Sequence, residues 1–177
     1  LADYRVAQPG ARGLAAAASG MRQMLSQQST ALGDIVTREP VMRAELEHSP
    51  LAGVAYWEVV CTHQSDAHTA LNALLPHLHA WQDLQRPGGP VVGLSPHSPY
   101  LVCKDMLQAL ARLSRDEGIP LQIHVGESPA EMAFFQTGGG PLAEVLARLN
   151  WRKHPTVSGL GIPADASLTP VRYLAEI

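Results

Sequence analysis

Two of the eight histidines in this 177-residue chain stand where a rigid scaffold could put them to chemical use. His124 falls near the end of the apolar run Leu121-Gln122-Ile123-His124-Val125, and Glu127 follows three residues later at a turn. An imidazole at a strand end is a firmly held metal ligand. A carboxylate one turn away can reach a water on such an ion without ligating it. The ion lowers that water's pKa toward about 7, and the carboxylate takes its proton and passes it to a leaving group. The same His-x-x-Glu pair also reads as a hydrogen-bonded core histidine beside a surface glutamate. His97, within Ser95-Pro96-His97-Ser98-Pro99-Tyr100, follows another apolar run; it either meets a substrate or, between its two prolines, shapes a loop. Glu58, near the end of a third run, is either a pocket carboxylate or a buried group paired with a base.

Other polar residues suggest less. His77-Leu78-His79 is a His-x-His, but on a helix turning about 100° per residue its two rings point some 200° apart and cannot converge on one ion. They read as solvated helix residues. Asp34 reads as structural, and Trp57, Trp81 and Trp151 as core or interface. Cys61 and Cys103 lack partners at zinc-site spacing and read as inert buried thiols. His48, His63, His68 and His154 carry no signal. No Lys-Ser or Lys-Thr follows the triple glycine Gly138–Gly140, so it is not a phosphate-binding loop, and no Gly-x-Ser-x-Gly elbow marks a serine hydrolase.

The elements that must position these groups alternate in type. After a loop at Leu1–Gly13, Ala-rich sequence predicts a helix from Leu14 to about Leu32. Leu32–Val36 is a short strand, Pro40–Glu47 a short helix, and Leu51–Val60 a strand buried on both faces. Ala67, Leu71, Leu74, Leu75, Leu78 and Trp81 make an amphipathic helix over Asp66–Leu84, with Pro76 as a kink or restart. Val91–Ser95 is a third strand, Lys104–Glu117 a helix stopped by Gly118, and Leu121–Val125 a fourth strand. Ser128-Pro129-Ala130-Glu131 opens a helix as N-cap, first-position proline and capping-box glutamate. A helix through Leu149 follows Gly138-Gly139-Gly140-Pro141, and a last one runs from Thr169 to Ile177. Four alternations of apolar strand and helix predict a parallel α/β sheet, whose function collects at the C-terminal strand ends. A complete (β/α)8 barrel takes about 250 residues. This chain, starting in a loop and ending on a helix, therefore reads as one incomplete barrel domain over residues 1–177.

Gly93-Leu94-Ser95-Pro96-His97-Ser98-Pro99-Tyr100 and, two dozen residues on, Leu121-Gln122-Ile123-His124-Val125-Gly126-Glu127-Ser128 resemble the metal-dependent amidohydrolase superfamily, specifically its aminohydrolase/chlorohydrolase branch. The Gly138–Pro141 element and the Leu168–Leu174 helix start are similar to segments of that branch. The resemblance covers about Leu14 to Ile177 and is specific from Gly93 to Pro141. It implies a partial TIM barrel holding strands two to five. In that frame His124 is the metal ligand ending strand five, and Glu127 is the general acid/base serving metal-bound water and a departing amine. His97 meets the substrate, as do Gly139 and Gly140 in a nearby loop. Gly126, where many relatives have Ala, is a departure of little cost. The metal would be zinc, with iron as the alternative. The family's His-x-His on strand one, His on strand six and Asp on strand eight are not in this chain, so the expected metal is weakly held or absent and the piece alone inactive. The implied activity is hydrolysis of a C–N bond, deaminating an amine-bearing heterocycle. The rival expectation is a non-catalytic α/β interaction or ligand-binding module, or an inactive remnant of the enzyme.

Composition narrows the partners. With 46% apolar and only 16% charged residues the chain can bury a core, which excludes wholesale disorder. A net charge of −3 and no Lys/Arg run give no basic face for nucleic acid. No window approaches the roughly 18 apolar residues of a membrane span. The N-terminal residues lack an initiator Met and a secretory pattern, and two cysteines suit a reducing compartment, so a cytoplasmic site of action is expected. A small-molecule substrate and a homo-oligomer complete the expectation, since an unclosed sheet leaves two unpaired edges.

Overall fold

The computed structural model describes residues 10–148 and 154–177. Leu149 and Trp151, and Leu1–Pro9 of the expected entry loop, lie outside them. Helix α1 spans Gly10–Ser26, so Gly10–Gly13 is helical rather than loop, and the helix stops six residues before Leu32. Thr30 and Leu32 instead serve the sheet: strand β1 is Ala31–Val36, and Thr30 O accepts from Ala52 N–H at 3.1 Å. Helix α2 (Glu39–His48) and strand β2 (Ala52–Val59) follow, each within a residue or two of its apolar pattern. After a 3-10 turn at Gln64–Asp66 comes α3 (Ala67–Gln82), which passes through Pro76 as one helix. Strand β3 is Pro90–Pro96 and helix α4 is Lys104–Glu117. Four further helices, α5 (Pro129–Thr137), α6 (Pro141–Arg148), α7 (Val157–Leu160) and α8 (Pro170–Ala175), complete the described chain. The strands form a parallel sheet ordered β1-β2-β3, with Ala31 opposite Ala52 and Val36 opposite Trp57.

The residues gather into two compact units, one holding the chain up to Glu58 with Pro76–Gly93, the other Val59–Leu75 with Leu94–Ile177. In the first, Met42, Leu46, Leu51, Ala55 and Leu78 are fully buried, and the Trp57 and Trp81 rings meet at 4.7 Å. β1 and β2 approach closely at Leu32 and Gly53. Gly53 has φ +120°, and a Cβ there would run into the Leu32 carbonyl, so only glycine fits. On α3, His77 and His79 are both exposed on either side of buried Leu78, as helical geometry requires.

In the second unit, Met106 and Leu110 of α4, Phe134 and Phe135 of α5, Leu160 and Tyr173 are buried. Cys61 and Cys103 are buried thiols, not joined in a disulfide, whose sulfurs lie 3.8 Å apart, a contact that spacing does not reveal. The expected fourth strand at Leu121–Val125 is the main departure. Leu94 N–H donates to Pro120 O at 2.8 Å and Gln122 N–H to Leu94 O at 3.1 Å, which is parallel pairing, yet only a bridge between Leu94 and Leu121 forms. The next donor would be residue 96, a proline with no N–H. Pairing resumes one residue late, with His124 N–H on His97 O at 3.1 Å. Pro96 thus breaks the ladder where the two histidines begin.

Candidate active site

The slipped pairing puts His97 and His124 side by side. His97 N–H donates to Val59 O (2.9 Å), its own carbonyl accepts from His124 N–H, and the two half-buried rings meet edge to face with centroids 5.6 Å apart. The Tyr100 ring lies edge-on to His97 at 6.5 Å. Its hydroxyl donates to Glu127 Oε2 at 2.5 Å. Contacts therefore run from Glu127 through Tyr100 and His97 to His124. Three of the side chains singled out from sequence come together, and a fourth, Tyr100, joins them. Glu58 is half-buried near the end of β2.

The turn carrying Glu127 is held from below. Gly126 adopts φ +72°, a left-handed conformation in which an alanine would be strained by roughly 1–2 kcal/mol; glycine is the fitting residue here rather than a neutral departure. Ser128 caps α5 as expected, its Oγ accepting from Glu131 N–H at 3.3 Å. The other half of the capping box differs. Glu131 reaches past Ser128 and accepts the Glu127 N–H on Oε2 at 2.6 Å. The Glu131 side chain is buried, so this bond fixes the backbone of Glu127 from inside the fold. The Ser128-x-x-Glu131 pattern was the available signal for it. For Tyr100, whose hydroxyl bridges 27 residues, spacing gives none.

Burial, then the hydrogen bond and negative charge of Glu127, push the Tyr100 phenol well above its ordinary pKa, with Glu131 adding to the rise. Tyr100 is therefore a neutral hydrogen-bond donor at neutral pH, and Glu127 Oε2 is its acceptor. Glu127 is exposed and borders an open cleft of about 510 Å³, lined also by Gly126, Ser128, Met132, Gln136 and Pro170. Gly139 and Gly140 stand elsewhere. Gly138 ends α5 with φ +70°, Gly139 N–H donates to Thr137 Oγ1 at 3.1 Å, and Gly140 is exposed. Nine helical residues, a rise of about 13 Å, separate this loop from the Glu127 turn. A separate cavity of about 280 Å³ abuts the loop at Thr137 and Gly138.

Among the described residues no three His, Cys, Asp or Glu side chains are placed to hold one metal ion. No described helix is long and apolar enough to cross a membrane.

No family model matches the chain. The resemblance to the amidohydrolase superfamily nevertheless holds over nearly its whole length, and the fold is part of a TIM barrel. Over 166 residues, 94% of the chain, it is 39% identical to the aminodeoxyfutalosine deaminase of Deinococcus radiodurans. The chain spans 39% of that relative's length. Among solved structures it is similar to the aminofutalosine deaminase of Helicobacter pylori, with a TM-score of 0.59 at 24% identity over 69% of this chain and 30% of that one. The same enzyme in complex with methylthio-coformycin gives a TM-score of 0.63 at 21% identity, over 77% and 34% of the two chains.

Proposed function

We propose that this chain is part of a hydrolytic deaminase that acts in the cytoplasm on a small amine-bearing heterocycle. Aminodeoxyfutalosine, the compound in the curated relative's name, is the first substrate to try. The contact chain Glu127–Tyr100–His97–His124 carries the reading, because it links a carboxylate that borders an open cleft, through a phenol, to two neighbouring imidazoles. In hydrolytic deamination water adds to the carbon bearing the amino group, that C–N bond breaks, and ammonia leaves. The Glu127 carboxylate takes the proton from the attacking water and returns it to the departing nitrogen. His97 contacts the substrate, and Gly139 and Gly140 bound its far end if it extends along α5.

A divalent ion, zinc or iron, would add Lewis-acid chemistry, with His124 as one ligand. A zinc site takes three or four protein ligands, and the described residues offer no such set. By themselves they do not fit a metal. The 177 residues alone accordingly bind zinc weakly and release no ammonia, and the open edge of β1 favours a homo-oligomer. Zinc content and ammonia release of the purified piece check this, and turnover by the piece would contradict it. The test of the main reading is Glu127→Gln in the full-length protein. Ammonia release should fall on the order of 10³-fold with the fold intact, and wild-type turnover would remove the acid/base assignment.

A further inference from the structure

A general acid/base works only if its oxygen is held where the proton must go. Glu127 is an exposed glutamate on a turn, and an exposed glutamate left to itself samples many rotamers. Two contacts limit it. The buried Glu131 carboxylate anchors its backbone N–H at 2.6 Å, and the Tyr100 hydroxyl anchors Oε2 at 2.5 Å. Tyr100 is itself well placed to do so. It follows the Pro99 turn, its ring stands edge-on to His97, and the neighbouring Ser98 carbonyl accepts the N–H groups of Leu101 and Val102 at 3.0 Å each. The phenol donor is thus built on a turn of fixed shape, and it leaves Oε1 of Glu127 for the reacting proton.

We propose that Tyr100 is a positioning residue that aims the Glu127 carboxylate at the reacting water and amine, through the bond from its hydroxyl to Oε2. This inference rests on Glu127 being the proton carrier. Tyr100 need not touch the substrate. Its contribution belongs to the step in which Glu127 moves a proton, so it shows in kcat rather than in KM. A hydrogen bond to a charged group accounts for roughly a 10- to 100-fold effect.

The test uses the full-length protein and ammonia release from aminodeoxyfutalosine, with Tyr100→Phe, Glu127→Gln and the double variant. Tyr100→Phe keeps the ring against His97 and removes only the hydroxyl. Its kcat should fall roughly 10- to 100-fold while KM stays within about twofold. On the Glu127→Gln background, where the carboxylate is already gone, the same change should cost less than about twofold, because both variants act on one group. Equal losses on the two backgrounds, or an unchanged kcat for Tyr100→Phe, would overturn the positioning role. Wild-type turnover by Glu127→Gln would instead sink the underlying assignment, so the two failures are told apart.

Discussion

Two pairs of neighbouring acids among the described residues are built for opposite ends. In the first unit Glu45 of α2 is buried against Asp34 of β1. Burial, then the hydrogen bond and like charge of Asp34, raise its carboxyl to about 9. The pair holds a proton at neutral pH and stays inside the fold. In the second unit Glu131 is equally buried, but it spends its hydrogen bond on the backbone N–H of Glu127, and the Glu127 carboxylate faces solvent beside a phenol donor. Two acids closed over one proton make a structural clasp. Two acids arranged so that one supports the other's backbone leave a carboxylate exposed at a cleft, which is the arrangement the proposed acid/base role needs. Residue type alone does not separate the two cases; the direction in which each side chain spends its hydrogen bonds does.

The comparison can be pressed first on the frame of the first unit. Gly53→Ala forces a Cβ into the Leu32 carbonyl at φ +120° and should destabilise by about 3 kcal/mol or more, read as a loss of thermal midpoint. A smaller effect distinguishes the acid pairs directly. A carboxyl raised from 4.5 to about 9 on folding contributes stability that is fully present below pH 4.5 and is lost as pH climbs toward 9. Denaturant unfolding should therefore show stability falling as pH rises across that window. Glu45→Gln should flatten the slope. A slope that survives the substitution would assign the proton to another group.

Much of this is legible in the amino-acid sequence. Apolar runs placed β1 to β3, and Ser128, Gly118 and Thr169 marked helix ends because capping is local chemistry. His97, His124 and Glu127 stand out in the sequence by their places at or just after apolar runs, although the run holding His124 does not form a strand. What escaped was tertiary. An apolar run at Leu121–Val125 reads as a strand, but the missing N–H of Pro96 on the neighbouring strand breaks the ladder. The Cys61–Cys103 contact joins residues 42 positions apart, and the Tyr100 bond to Glu127 depends on how two loops meet. Ala-rich sequence through Leu32 favoured helix, yet pairing with β2 overrode it, which is the usual outcome when propensity meets a sheet edge.

The most direct measurement sets the two acid pairs against each other in one assay. In the full-length protein, ammonia release is compared for wild type, Glu127→Gln and Glu45→Gln at a pH where all are folded. Turnover should drop on the order of 10³-fold for Glu127→Gln and stay within about twofold for Glu45→Gln, whose carboxyl serves the fold alone. Turnover retained by Glu127→Gln, or lost equally in both, would contradict the account.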